Sequence, residues 1–158
     1  MAKVILEKGK YYFGDPCYVI RNDTKEAQEY WERFCKHYFN EAKKTGFIDF
    51  EGLKGFVQTT AFGDGEYEAT NLLTNDVKFI PVDAGMIGVL KIEKHDEKIH
   101  VPLKAIEYGV LGSFVDFEEE FVCQTKTYKY CKNFFIENWK IRTWIKKGFC
   151  PFFKKNTL

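Results

Sequence analysis

Apolar residues recur at three- and four-residue steps between positions 27 and 42 of the chain. This spacing places them along one face of a helix. Asp23, with Glu26 three residues later, has the pattern of an N-terminal capping box, and Gly46 fits the residue that follows a helix end. The pattern therefore predicts one long amphipathic helix over about 24–44.

Outside this stretch the apolar positions follow a period of two, which is typical of half-buried β-strands. Turns rich in Gly, Asp and Pro separate the short β-prone runs, which are 4–6, 11–13, 17–20, 47–51, 55–61, 66–70, 77–82, 86–92, 99–101, 115–117, 120–123 and 127–131. The segment 134–144 shows no fixed period and leaves strand and helix open. We therefore expect an α+β fold, mostly antiparallel β-sheet or sandwich, with the helix over one face or edge.

Length and composition are those of an ordinary globular protein. The chain has 158 residues, of which 45% are hydrophobic and 30% charged, and this length suits a single domain over 1–158. It has neither the apolar stretch of a signal peptide nor the roughly 18 apolar residues of a membrane-spanning helix. We therefore expect a cytoplasmic protein with no membrane partner.

The net charge of +1 is an average of two unlike parts. Residues 1–123 carry 15 Lys and Arg against 22 Asp and Glu, whereas residues 124–158 carry nine against one. The second part is also rich in aromatic residues, so we expect it to fold, either within the domain or as a C-terminal extension. Basic and aromatic residues together are typical of single-stranded nucleic-acid binding. The alternative is that the aromatic side chains pack in a core while the lysines face water.

Cysteine and histidine spacing gives no metal or cofactor signal. The five cysteines are irregularly spaced and form no C-x-x-C pair, so we expect reduced thiols. His95 and His100 are five residues apart, which suits neither a strand nor a helix pair of ligands. No metal site is predicted from these residues, and no cofactor is identified.

A motif of the form F-G-D-[P/G]-x-Y occurs at 13–18 and again at 62–67, and a related Val-Asp-Ala-Gly turn occupies 82–85. Aspartate and glycine are common in turns, where the carboxylate bonds nearby backbone N–H groups. A turn does not require the flanking Phe and Tyr, however. If the three turns lie at one end of the sheet, they form an acidic cluster made up of Asp15, Asp64, Glu66 and Asp83.

The blocks that carry these motifs are 14–19, 62–67 and 79–88. In this order they resemble the G-D-P-C-Y-V, [Y/F]-G-D-G-x-Y and V-D-[A/S]-G-x-I-G blocks of a family of small proteins of uncharacterised activity in bacteria and their phages. The resemblance implies a β-rich single domain and a phage or mobile-element source, and it assigns no catalytic residue. The long helix and the basic C-terminal part depart from the family pattern.

The function we favour from the sequence is non-enzymatic binding of a small polar or nucleotide-like ligand. In a phage-encoded protein, the corresponding role is to sequester a nucleotide-like defence signal in the host cytoplasm. Carboxylates and tyrosines of the turns would accept and donate hydrogen bonds, and C-terminal cations would meet a phosphate. The candidate ligand-binding residues are Asp15, Tyr18, Asp64, Glu66, Tyr67, Asp83, Lys140 and Arg142.

Two other functions are also compatible with the sequence. A metal-assisted or acid–base hydrolase of a phosphodiester or nucleotide would use the carboxylates of the turns as ligands or as general acid and base. A nucleic-acid-binding module would instead use the basic aromatic C-terminal part. A homo-oligomer is compatible with each of the three functions.

Overall fold

The computed structural model describes residues 3–107, 111–128 and 131–144. Over these ranges the chain forms eleven strands, numbered β1 to β11 in chain order. They are Lys3–Leu6, Gly9–Gly14, Phe47–Phe50, Leu53–Thr59, Gly65–Asn71, Val77–Val82, Met86–Ile92, Gly112–Phe117, Phe121–Tyr128, Cys131–Ile136 and Trp139–Trp144.

The strands build two antiparallel sheets. The six-stranded sheet has the order β1-β9-β10-β11-β5-β6, and the five-stranded sheet has the order β3-β4-β7-β2-β8. Strands β9, β10 and β11 lie in the interior of the six-stranded sheet, and all but the first three residues of β9 come from the basic aromatic part of the chain. Within the described part of the chain, β6 and β8 each pair with one neighbour, so each forms an edge of its sheet.

Buried side chains from both sheets form one hydrophobic core. Phe13 and Phe56 of the five-stranded sheet belong to the same cluster as Phe134 and Ile141 of the six-stranded sheet. Because side chains alternate along a strand, the residues on either side of Phe134 in β10 and of Ile141 in β11 lie on the opposite, outer face of the six-stranded sheet. This alternation explains the period of two in the sequence.

The predicted helix is present. Helix α1 spans Lys25–His37 and continues as a π-helical turn over Tyr38–Ala42. Its apolar face packs on β3, β4 and β7, so the helix covers the side of the five-stranded sheet that faces away from the shared core. At its end the N–H of Gly46, with a φ of +81°, donates to the carbonyl of Ala42. The chain is therefore mostly antiparallel β-sheet with one long helix, as expected at that level.

The capping prediction was wrong by one residue. The N-cap is Thr24, whose hydroxyl oxygen accepts a hydrogen bond from the N–H of Ala27 at 3.1 Å. Asp23 instead forms a two-bond ion pair with Arg21. Either residue type can cap a helix, and here the neighbouring guanidinium engages the aspartate.

Four other predictions are corrected or resolved. The predicted strand 17–20 is a 3₁₀ helix over Pro16–Tyr18, because Asp15 caps it and Pro16 fixes its first turn. The segment 99–101 contributes only an isolated bridge at His100. The predicted strand 127–131 is divided between β9 and β10, and 134–144 contains most of the β10–β11 hairpin.

A short helix α2, Leu103–Glu107, was not predicted. No helix in the described ranges is both long and apolar enough to cross a membrane.

Candidate functional site

The first turn motif is organised around a buried carboxylate. Asp15 is fully buried, and one of its carboxylate oxygens accepts the N–H of Cys17 at 2.9 Å. The other oxygen accepts the N–H groups of Asp83 and Ala84, each at 2.8 Å. Burial raises the pKa of Asp15, and these three backbone hydrogen bonds oppose that rise. The Asp15 carboxylate therefore joins the first turn to the third and faces the protein interior.

Behind Asp15 lies a buried tyrosine that requires two glycines. The hydroxyl of Tyr12 lies 2.9 Å from the carbonyl oxygen of Asp15 and 2.8 Å from that of Leu111. Gly14 and Gly112 face each other across β2 and β8. A Cβ atom on either glycine would lie 2.5 Å from the Tyr12 side chain. Because these glycines have no side chain, the Tyr12 ring can pack against the ends of both β2 and β8.

The first and third motifs also meet at the surface. The hydroxyl of Tyr18 donates a hydrogen bond to the carboxylate of Asp83, which is exposed. Partial burial and the neighbouring Asp83 carboxylate raise the pKa of Tyr18. Tyr18 and Asp83 are therefore accessible members of the predicted set, whereas Asp15 is not.

The second motif is bonded to the third through Thr60. The N–H of Thr60 donates to the carbonyl of Gly85 at 2.8 Å, and its hydroxyl donates to the carbonyl of Gly63 at 2.6 Å. Buried Tyr67 donates its own hydroxyl to the same Gly63 carbonyl, at 2.7 Å. The carboxylate of exposed Asp64 lies near Gly85. The three turns thus lie at one end of the sheets, joined mainly through backbone atoms.

The arrangement of the turns has a clear chemical limit. One predicted carboxylate, Asp15, is enclosed and saturated by N–H donors, and Tyr67 is occupied within its own turn. Within the described residues, no group of three or more His, Cys, Asp and Glu side chains is spaced to hold a metal ion. Tyr18, Asp64, Glu66 and Asp83 remain accessible to a ligand at this end.

Beside the turns, a cleft of about 440 Å³ opens between the edge strands β6 and β8. Its walls combine aromatic and apolar side chains with one carboxylate and one ammonium group. The lining residues are Phe13, Glu66, Lys78, Phe79, Ile80, Pro81, Leu111, Gly112 and Ser113. Pro81 and Phe13 each lie two residues before an aspartate of the turns, so the cleft and the turns are continuous along the chain.

The backbone of β6 also directs hydrogen-bonding groups towards the side of the cleft. The N–H of Asn71 donates to the carbonyl of Asp76, which marks a hydrogen-bonded pair at the start of the β5–β6 ladder. Because such pairs alternate in an antiparallel ladder, Val77 and Phe79 direct their N–H and C=O groups away from β5. Pro81 falls in the same outward row, where its missing N–H costs no ladder bond.

Sequence reasoning placed Glu66 among the candidates but missed Lys78 and Phe79. Phe79 exposes 62% of its surface, although it lies within a strand. The ammonium group of Lys78 lies 5.4 Å from the ring centroid of Trp139. A Pro in a strand was the available signal for an edge, and an edge strand with a large apolar side chain invites a partner or a ligand.

Lys140 and Arg142 lie elsewhere, on the outer face of the six-stranded sheet. Lys140 is in register with Phe135 on one side and Thr70 on the other. The cation that lines the cleft is therefore Lys78. Lys146 and Lys147, also considered as phosphate contacts, fall outside the described residues.

A further buried cation was not predicted. The ammonium group of Lys132 donates to the carbonyl of Thr59 at 2.8 Å and lies 3.2 Å from the Thr59 hydroxyl. Burial, followed by the charge of Lys43, lowers the pKa of Lys132 to about 8. Lys132 lies two residues before buried Phe134 and four before buried Ile136, so its side chain points to the same inner face of β10. This spacing was the sequence signal for an inward-facing lysine.

Comparison with protein-family models, curated proteins and solved structures finds no match to this chain. The resemblance to the bacterial and phage family therefore stays a prediction.

Proposed function

We propose that this protein is a non-enzymatic binding protein that holds a small nucleotide-like ligand in the cleft between β6 and β8. The observation that carries this proposal is the combination of Lys78, Glu66 and Phe79 around one cleft of about 440 Å³. Ligand sites of small molecules have volumes of roughly 300–1,000 Å³, with apolar walls and a few polar groups. We also infer that the two sheets form a β-sandwich, an inference supported by their common core.

Each lining group has a separate task in this proposal. Phe79 offers an exposed ring against which a planar base can stack. Lys78, positioned over Trp139, meets a phosphate, and Glu66 accepts hydrogen bonds from ribose hydroxyl or base amino groups. The outward N–H and C=O groups of Phe79 can pair with the edge of the base.

The turns supply the frame and the rim of the site. Asp15 fixes the backbone that follows β6 by binding the N–H groups of Asp83 and Ala84. Asp64 and Asp83 then contribute acceptors at the rim for further amino or hydroxyl groups. In a phage-encoded protein, tight binding without turnover would remove a nucleotide-like defence signal from the host cytoplasm.

The test is a binding and conversion assay. Purified protein is titrated calorimetrically with a panel of mono-, di-, cyclic and dinucleotides, and each mixture is then denatured and analysed by chromatography. We expect one class of nucleotide to bind and to be recovered intact. Recovery of a hydrolysed product would instead support the acid–base or metal-assisted hydrolase, and no binding below about 1 mM would reject both functions.

Matched variants locate the site. Lys78→Gln and Glu66→Gln should each weaken binding about tenfold or more, since each removes a charged hydrogen-bonding partner. Lys36→Gln and Glu32→Gln make the same chemical changes on exposed positions of α1 and should have no effect. Equal losses in both pairs would show that the cleft is not the site.

A further inference from the structure

The outer face of the six-stranded sheet carries a second candidate site, here called the cationic patch. It consists of two rows of residues in cross-strand register on β9, β10 and β11. The rows are Gln124, Phe135 and Lys140, and Lys126, Asn133 and Arg142. The six positions hold three cations, two amides and one aromatic ring, with no acidic residue.

The patch faces away from the core. Phe134 and Ile141, which alternate with its residues, are fully buried between the sheets. Lys126 and Arg142 are exposed, whereas Phe135 is partly exposed. The ring of Phe135 therefore lies at a surface of the sheet, where a planar group can reach it.

Positive charge is concentrated around this ring. The ammonium groups of Lys126 and Lys140 lie 5.1 and 5.8 Å from the Phe135 ring centroid. Partial burial, together with the charge of Arg142, lowers the pKa of Lys140. An anion beside these groups would relieve their mutual repulsion, and the long lysine side chains can turn towards it while leaving the ring uncovered.

The amide of Asn133 lies in the middle of the patch. The side-chain oxygen of Asn133 is buried and accepts no hydrogen bond from the described residues. A buried acceptor without a donor is costly, so turning the Asn133 amide outward to a donor on a ligand relieves this cost. Asparagine and glutamine are suited to the hydrogen-bonding edges of nucleic-acid bases, because each offers a donor and an acceptor.

We propose that the cationic patch binds single-stranded nucleic acid. Phe135 stacks on one base, Asn133 and Gln124 contact base edges, and Lys126, Lys140 and Arg142 contact the flanking phosphates. Outward-facing Glu68 on neighbouring β5 repels phosphate, which confines the strand to β9, β10 and β11. A duplex keeps its bases stacked inside, so a single ring on a sheet face favours an unpaired strand.

The test uses the full-length protein and fluorescein-labelled 12-nucleotide DNA and RNA strands of mixed sequence, followed by fluorescence anisotropy. We expect binding that weakens with salt. Phe135→Leu should weaken it about fivefold or more, because base stacking is lost. The double variant Lys126→Gln, Lys140→Gln should also make the slope of log K against log salt shallower by about 1.4, since each phosphate contact contributes about 0.7.

The controls separate this site from the cleft and from general charge. Lys25→Gln with Lys36→Gln removes the same charge from α1 and should leave affinity unchanged, as should the cleft variant Lys78→Gln. Circular dichroism and thermal melting check that the patch variants fold. No strand binding at 50 mM salt, equal weakening by the α1 pair, or equally strong binding of inorganic polyphosphate per charge would each overturn the proposal.

Discussion

Asp15 and Asp83 are joined side chain to backbone, because the buried carboxylate of Asp15 accepts the N–H of Asp83 at 2.8 Å. The two residues are 68 positions apart in the sequence. Burying a carboxylate is costly unless hydrogen bonds replace its water, and here three backbone donors do so. Asp15, the aspartate of the first motif, therefore stabilises the arrangement of the turns from inside the protein.

Replacing Asp15 by Asn should lower the free energy of unfolding by about 2 kcal/mol or more. An amide nitrogen cannot accept a hydrogen bond, so at least one buried N–H donor loses its acceptor. Urea denaturation monitored by fluorescence measures the change. Asp64→Asn is the matched control at an exposed aspartate of the second motif, and it should change stability by less than about 0.5 kcal/mol.

The effect of Asp15 should depend on pH in a defined direction. Burial raises its pKa in the folded protein above the ordinary value of 3.8. The contribution of this titration to stability is therefore fully present below pH 3.8 and is lost as the pH rises through the folded-state pKa. The difference in unfolding free energy between the native protein and Asp15→Asn should thus shrink with rising pH. A difference that grows over the same range contradicts a raised pKa.

Lys132 should titrate far below an ordinary lysine. Its pKa of about 8, against an ordinary 10.5, follows from burial beside Thr59. Carbon and proton chemical shifts at its ε position, assigned with Lys132→Met, measure this value directly. The ε resonances of Lys25, a lysine exposed on α1, serve as the internal reference.

The same group should make stability rise with pH. Between pH 8 and 10.5 the unfolded chain binds more protons at Lys132 than the folded protein does, so unfolding becomes less favourable as the pH rises. The free energy of unfolding relative to Lys132→Met should increase across this window and stay level below it. A level difference throughout would mean that the ammonium group is not buried when charged.

Gly112→Ala should destabilise the protein more than Gly63→Ala. Both glycines have positive φ values, +149° and +83°, so an added methyl group strains the backbone in each case. At Gly112 the methyl group would also lie 2.5 Å from the Tyr12 ring, whereas at Gly63 it would meet nothing within 4 Å. Thermal melting should show an extra loss of about 1–3 kcal/mol at Gly112. Equal losses would indicate that Tyr12 can move aside.

Local pattern was enough to predict the helix and most strands. The helix followed from its three- and four-residue apolar spacing, and β4, β6 and β7 followed from alternation and turn residues. Two errors had local competition as their cause: Arg21 engaged Asp23 and left Thr24 to cap the helix, and Pro16 turned a β-prone run into a 3₁₀ helix. The order of strands in the two sheets has no comparable local signal.

The candidate site, too, could be predicted from local pattern only in part. The motifs predicted turns with carboxylates, and Asp64 and Asp83 are accessible, but burial of Asp15 depends on a contact with Asp83 that no local pattern reveals. The cleft depends on two edge strands, β6 and β8, from different sheets. Lys78 and Phe79 gain their significance only from that neighbourhood, which is why composition and spacing did not select them.

The position of β9 beside β1 has a consequence for synthesis of the protein. Lys3 at the start of the chain is in register with Gln124, and β10 and β11 must follow before β5 gains its neighbour. A ribosome therefore has to release the residues between β1 and β9, and β9 itself, before β1 finds its partner. Until β11 follows, β5 presents an unpaired strand edge, so the nascent chain is most prone to aggregation or chaperone capture during this interval.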